Sequence, residues 1–376
     1  MPLRDRYTSA LILLFILAIF VIFNKAAFQS YFSDDDFSNL LLANWVPWKS
    51  LAKELFSLGF KINVRAVGLL YYKTLGATAH LHFVPYVALL QALHVATAFM
   101  LWLFLRRLGL GTWAAAMGCF FFVMHMSALP AYWKPMYVFD VLCGFWVIVA
   151  LLLYQRDRFV LSFICAWLAF RSKEMELMLP LVLLLYEWRF GQKRWKPLVP
   201  FFLMSLSFGI QGLLHQRGPE TAYTMHVTLP GLWSRVTYYG TNLLYAPFLG
   251  LAVSMGLLFL RLPMIRFGVL GFWILLIPLL FFPSLGSGAY LYVPLLAFTV
   301  AIAAVAQWRP WLAMLFLTLW IPASYQQLRE NRRPILAFYH EHRPYVEQVL
   351  ATFAAHPAPK AIVFDGTPVD FSIWGQ

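Results

Sequence analysis

Charge is what this 376-residue chain has least of: Asp, Glu, Lys and Arg make up 12% of it, against 61% hydrophobic residues. A water-soluble domain carries about 25% charged residues, so a soluble globule is excluded, and the mean hydropathy of +0.70 agrees. Cysteine is scarce too. Cys119, Cys143 and Cys165 all fall inside apolar runs, which makes them packing residues and leaves no disulfide framework. There is no internal repeat, low-complexity tract, Gly-rich phosphate loop, Gly-x-Ser-x-Gly elbow or Cys-x-x-Cys pair. Nucleotide hydrolysis and serine-hydrolase chemistry therefore find no support. The short alternating segments of a membrane barrel are missing as well.

What is there is a series of long apolar runs. A helix needs about 20 mostly apolar residues to cross a bilayer. The first such run is Thr8 to Phe28, and others lie near 83–105, 112–127, 137–154, 159–171, 176–188, 197–214, 244–260, 266–282, 290–306 and 310–325. A cleaved signal peptide competes for the first run, with Ala26-Ala27 as the cleavage site, but the many later spans favour a membrane anchor. The expected fold class is an all-α polytopic membrane protein with about eleven transmembrane helices. Arg4/Arg6, Arg106/Arg107, Arg156/Arg158, Arg189 with Lys193/Arg194/Lys196, Arg261/Arg266 and Arg309 mark alternate connections. The positive-inside bias then puts the N-terminus in the cytoplasm and the C-terminal tail outside. The same clustering assigns the net charge of +13 to topology and anionic lipid, with no nucleic acid as partner.

The membrane domain covers 1–326 and a short external tail 327–376. Residues 29–82 form the first external loop, in which Leu40, Leu41, Leu42, Trp45, Val46, Trp48, Leu51, Leu55 and Phe56 recur at helical spacing beside Lys49 and Lys53. That pattern suits an amphipathic helix lying in the interface. Leu232, Trp233, Val236 and Tyr239 suggest another in the second external region, 216–243. The tail holds an amphipathic helix candidate and a strand-like piece, Ala361 to Phe364.

Ionisable groups at membrane depth are costly and usually functional. Asp34-Asp35-Asp36 follows the first span directly. Three adjacent carboxylates repel one another and stay ionised only with a cation, basic neighbours or water; capping of the next helix accounts for one of them. Arg171-Ser-Lys173-Glu174 occupies a tight external turn, where the bias against external cations calls for compensation. Either Glu174 pairs with a neighbour, or Lys173 and Arg171 meet a phosphate at headgroup level. Arg65, Lys134 and Asp140 form a third group, and Asp140 needs a partner that Lys134, Arg171 or Lys173 could supply. His80, His82, His94 and His125 lie near the same face without metal-ligand spacing and read mainly as polar packing.

These residues resemble the C-type glycosyltransferases, multi-spanning enzymes that use polyprenyl-phosphate-linked sugars and include protein O-mannosyltransferases. Asp35-Asp36-Phe37 is similar to the family's acidic pair in the first external loop. Arg65-Ala-Val-Gly-Leu-Leu-Tyr-Tyr is similar to an Arg-Pro-x-x-x-Leu-x-Tyr segment of the mannosyltransferase-like branch that carries tetratricopeptide repeats in animals. Residues 168–186, with Ser172-Lys173-Glu174 and Leu179-Pro180, are the most specific match. Ala289-Tyr290-Leu-Tyr292-Val-Pro294 is similar to its Arg-Tyr-Leu-Tyr-Leu-Pro. Ala289 and Ala66 replace the family's Arg and Pro, and no tetratricopeptide repeat follows.

The resemblance implies that Asp35 is the catalytic base, with Asp36 placing the acceptor or a divalent cation (Mg or Mn) and Asp34 supporting either. It implies that Lys173 neutralises the departing lipid phosphate and Glu174 orients Lys173. Arg65, Tyr290 and Tyr292 would belong to the same donor site. Arg171 would stand in for the missing Arg, and Asp140 and Lys134 would give support. The implied function is an inverting transfer of sugar to a protein, lipid or polysaccharide on the non-cytoplasmic side. A compact chain of this kind suits a bacterial inner membrane with the site facing the periplasm. A lipid-linked sugar transporter is the alternative, disfavoured by the lack of internal symmetry, and a catalytically silent scaffold is another.

Overall fold

The computed structural model describes residues 3–59, 65–215, 224–282 and 286–356. Its helices are α1 (Leu3–Asn24), α2 (Asp34–Trp45), α3 (Trp48–Phe56), α4 (Ala66–Ala79), α5 (Phe83–Arg107), α6 (Thr112–Val123), α7 (Leu129–Trp133) and α8 (Val138–Tyr154). There follow α9 (Phe159–Ser172), α10 (Leu179–Arg189), α11 (Val199–His215), α12 (Leu229–Leu244), α13 (Leu249–Phe259), α14 (Pro263–Leu280), α15 (Tyr292–Trp308) and α16 (Pro310–Ala355). The described residues include no strand, in keeping with the all-α expectation; the strand-like 361–364 lies outside them.

Among the described residues six helical stretches are long and apolar enough to cross a membrane: Tyr7–Gln29, Phe83–Arg107, Pro135–Tyr154, Lys196–Leu214, Pro263–Leu280 and Gly288–Trp308. Two bent pairs raise that number to eight: α6 with Met126–Trp133, bent by 41°, and α12 with α13, bent by 85°. The apolar run expected near 112–127 therefore ends as α6 at Val123, and the one near 244–260 narrows to the 11 residues of α13. α9 and α10 have 14 and 11 residues, so at about 1.5 Å per residue they fall short of a hydrocarbon core about 30 Å thick.

The apolar stripe of residues 40–56 forms two helices rather than one, because Pro47 at the N-cap of α3 interrupts it. α3 buries Leu51 and exposes Trp48 and Phe56. The second loop contributes α12, while 216–223 lie outside the described residues. The boundary expected at 326/327 is absent from the backbone: α16 runs unbroken for 46 residues. Its internal prolines, Pro322, Pro334 and Pro344, all sit on exposed positions. The backbone groups they free face outward there, while Trp320, Ser324, Leu328, Ile335 and His342 keep a continuous buried face.

The core forms where α8 packs on α9 and α14 on α15. α14 and α15 approach closely at Gly268, where a Cβ would fall 2.4 Å from the Ala301 amide nitrogen and 2.9 Å from the Ala297 carbonyl. Exposed Leu11, Leu14, Phe15 and Ile22 on α1, and Leu203, Leu206 and Leu213 on α11, face outward as lipid-facing residues do.

One end of the bundle gathers the end of α1, the starts of α8 and α15, the end of α9 and the middle of α16. The Trp133 indole donates to Asn24 Oδ1 at 2.6 Å, the Ser30 hydroxyl to the Ile335 carbonyl at 2.7 Å, and Asn331 Nδ2 to the Met126 carbonyl at 2.7 Å. The His342 ring bonds the Phe32 carbonyl at 3.0 Å. The opposite end carries Arg106, Arg107, Arg156, Arg158, Arg189, Lys193, Arg194, Arg261, Arg266 and Arg309, so most of the basic connections collect there.

Gly268→Val is expected to force α14 from α15 at a cost of about 1–3 kcal/mol, the usual penalty of overpacking. Fluorescence-detected size-exclusion chromatography after heating should show a lowered midpoint. An unchanged midpoint contradicts the close approach.

Candidate functional site

The site is built at the end of α1. Ser33 is the N-cap of α2, and its backbone N–H and its hydroxyl both donate to Asp36 Oδ2 at 2.7 Å, closing a capping box. The Tyr72 hydroxyl, from α4, donates to Asp36 Oδ1 at 2.7 Å. Burial pushes the Asp36 carboxyl above the usual range, against these bonds and the Lys134 charge. Three protein donors already occupy its oxygens. Asp36 thus caps α2 and ties it to α4.

Asp35, by contrast, is half-buried. Its charge reaches Tyr137, and so does that of Asp140. Tyr137 closes the short helical turn Pro135–Tyr137, on which α2 packs, and its hydroxyl hydrogen-bonds Ser287 Oγ at 3.1 Å. Asp34 opens α2; its side chain lies outside the described residues. The Lys134 ammonium sits 4.8 Å from the Phe338 ring centroid and 5.9 Å from that of Tyr137, so α16 also borders this place.

Behind Tyr137 lie four charges. Lys173 Nζ donates to Asp140 Oδ1 at 2.5 Å, with both side chains about 5% exposed. The same ammonium lies 4.4 Å from the Tyr290 ring centroid. The Arg65 guanidinium donates through Nε to Glu174 Oε2 at 3.0 Å and through Nη2 to Oε1 at 2.5 Å, a bidentate pair. Glu174 therefore bonds Arg65, and the expectation that it orients Lys173 gives way to Asp140 as the direct partner of that lysine. Burial alone would raise the Glu174 carboxyl, but the guanidinium beside it outweighs burial and holds it below the usual carboxylate value. The charges of Arg65 and Glu174 reach Asp140, so the two pairs form one electrostatic unit. Each cation at this turn thus has a carboxylate partner.

Two expected donor-site residues stand elsewhere. The Arg171 guanidinium donates to the Gly59 carbonyl at 3.2 Å through both Nη atoms and lies 3.8 Å from Glu54. It is also flanked by Trp167 and Phe208, at 5.1 and 5.2 Å. Arg171 pins the loop after α3 to α9; its contacts do not include those of Lys173, and it does not take the place of an Arg at Ala289, which is fully buried. Tyr292 is buried in the core, its hydroxyl 2.9 Å from His94 Nδ1. No pattern in the sequence pointed to Tyr137 or Ser287; Tyr72 closes the segment that begins at Arg65, and Glu176, two residues after Glu174, is buried with Oε1 3.3 Å from Cys143 Sγ and Oε2 without a partner among the described residues. A half-open cavity of about 400 Å³ lies on the α2–α4 side, lined by Asn44, Trp48, Tyr72, Lys73 and His80, and not at Asp35 and Lys173. The chemistry of the charged residues marks the site here better than that hollow does. Lys73 already donates to the Ala43 and Val46 carbonyls at 2.8 and 2.7 Å.

Lys173→Met or Asp140→Leu alone leaves a buried charge without its partner and is expected to cost about 3–5 kcal/mol. The double variant should recover most of that loss, read as the thermal midpoint in detergent across a double-mutant cycle. Additive losses, with the double variant as low as the two singles combined, contradict a direct pair.

Below pH ~4.5 the Arg65–Glu174 pair is expected to lose its contribution. Because the folded-state pKa is depressed, stability from this pair is fully present above the unfolded value and falls as pH drops through the folded one. Glu174→Gln should flatten the acid limb of the midpoint-against-pH curve; an identical limb contradicts the pairing.

No known family, curated protein or solved structure matches this chain.

Proposed function

We propose that the protein is a membrane glycosyltransferase that takes sugar from a polyprenyl-phosphate-linked donor and passes it to an acceptor on the non-cytoplasmic side. The observation that carries this reading is that Asp35 and Asp140, the partner of Lys173, both lie close enough to Tyr137 for their charges to reach it, at the end of the bundle away from the basic connections. A half-buried carboxylate and a buried, charge-balanced cation are the two kinds of group such a transfer uses. Counting α9, α10, the bent α6–α7 and α12–α13 pairs and the first half of α16 as partial or bent crossings beside the six long spans gives eleven passes with the N-terminus inside. The site then faces the periplasm of a bacterial inner membrane.

In this mechanism Asp35 accepts the proton of an acceptor hydroxyl or amine as that atom attacks the anomeric carbon. The bond between that carbon and the phosphate oxygen breaks, the electron pair leaves with the polyprenyl phosphate, and the configuration inverts. Lys173 and Arg65 stabilise the charge gathering on the departing phosphate, at the expense of their pairing with Asp140 and Glu174. Electrostatic stabilisation of this kind often contributes more to catalysis than any other single effect. Asp36 holds the first turn of α2, and so holds Asp35.

Reconstituted protein is expected to transfer labelled sugar from lipid phosphate, and Asp35→Asn to lower that transfer about 10²–10⁴-fold, the usual worth of a general base, with an unchanged elution profile. Absence of transfer by the wild type over a panel of lipid-phosphate sugars, or full activity in Asp35→Asn, contradicts the proposal.

A further inference from the structure

α16 carries a stripe along its outward face that changes character at one height. Trp311, Met314, Leu315, Leu319 and Tyr325 are exposed and lie on one side of the helix. Continuing the same helical spacing of three and four residues leads to Arg329, Arg332 and Arg333, all exposed. The buried face, Leu317, Trp320, Ser324, Leu328 and Ile335, lies opposite and packs on the bundle. The stripe is thus the part of α16 turned to the surroundings, apolar first and cationic after.

The heights decide what those surroundings are. From Trp311 to Arg329 the helix rises about 27 Å, and to Arg333 about 33 Å, at about 1.5 Å per residue. A hydrocarbon core is about 30 Å thick, and a tilt of about 20° shortens both figures by only a few per cent. With Trp311 at one interface, beside Arg309 and Trp308, the three arginines arrive at the phosphate level of the opposite leaflet. That leaflet is on the side of Asp35, since Asn331 and Ile335 bond residues at that end. The positive-inside bias disfavours cations on this side. Arg65, Arg171 and Lys173 there all have carboxylate neighbours. Arg329, Arg332 and Arg333 have no hydrogen bond, ion pair or ring contact among the described residues, and the nearest acid in sequence, Glu330, is engaged by Gln326 at 3.0 Å.

We infer that Arg329, Arg332 and Arg333 form a binding site for the phosphate headgroups of anionic phospholipid in the leaflet on the Asp35 side. Planar guanidinium groups take phosphate oxygens in bidentate fashion and are weakly hydrated, which suits them to this depth. Basic residues near an anionic surface each add to its attraction, so three together are expected to favour an anionic over a neutral headgroup about 10²-fold. The inference needs α16 to stand in a bilayer and is independent of any sugar transfer.

The test uses the full chain in detergent, supplied with equal phosphatidylglycerol and phosphatidylcholine, with retained lipid counted by native mass spectrometry. Wild type should keep phosphatidylglycerol that Arg329→Gln/Arg332→Gln/Arg333→Gln loses, while the corresponding triple lysine variant, which keeps the charge, retains most of it. Equal retention by wild type and the glutamine variant overturns the site. So does displacement of the lipid by millimolar inorganic phosphate, since that marks a free-anion site. A measurement on wild type alone does not depend on variants folding: phosphatidylglycerol with a photoreactive headgroup should label the peptide spanning 325–336. Label confined to the basic connections at the opposite end overturns the inference.

Discussion

A buried charge must be answered by another charge, and that constraint organises the end of this molecule that matters. Lys173 and Asp140 are both removed from water, and neither is tolerable there alone. Their pairing fixes the extended residue after α9 against the first turn of α8. Arg65 and Glu174 then join the start of α4 to the turn that leads into α10. The helices α4, α8, α9 and α10 are too unlike in length to be aligned by a common membrane thickness. They are aligned here by four charges whose partners lie 33 and 109 residues apart in the chain.

Around that unit the first external loop is anchored by polar contacts of its own. Asp36 caps α2 and reaches Tyr72 on α4, Arg171 holds the chain at Gly59, and Lys73 takes two carbonyls at the end of α2. The outer half of α16 closes over the same region through Ile335, Phe338 and His342. A half-buried Asp35 is what remains open between these supports, held on the first turn of a helix that cannot easily shift. Positioning of this kind suits the general-base role proposed for Asp35, since reach to the proton comes before acidity.

Most helices are legible in the apolar runs, and the distribution of arginines separates two surfaces, because both signals are local and additive. The need of Asp140 for a basic partner is readable from its depth, with Lys173 among the candidates. Which cation answers it is not, since that depends on how α8 and α9 pack. Arg171 and Glu174 meet the same limit. Adjacent in sequence to Lys173, they point to Gly59 and Arg65, partners set by the tertiary path of the first loop. Ser33 and Asp36 have the spacing of a capping box, a local signal present in the sequence, yet three consecutive aspartates suggest charge chemistry before they suggest a bond to backbone. That the helix continues past 326/327 is not legible for a different reason. Proline and polar residues stop a helix only when the buried face stops with them, and here it continues through Leu328, Ile335 and His342.

Sidedness is the property on which an outward-facing charged centre depends. All three native cysteines, Cys119, Cys143 and Cys165, are buried, so single introduced thiols can be read by a membrane-impermeant maleimide on intact cells. Cysteine placed at Asp35 and, separately, at Ser287 should label from outside, whereas cysteine at Lys193 should label only after permeabilisation. Labelling of the Asp35 and Ser287 positions from opposite sides, or of Lys193 together with them from outside, would contradict a single outward-facing charged centre.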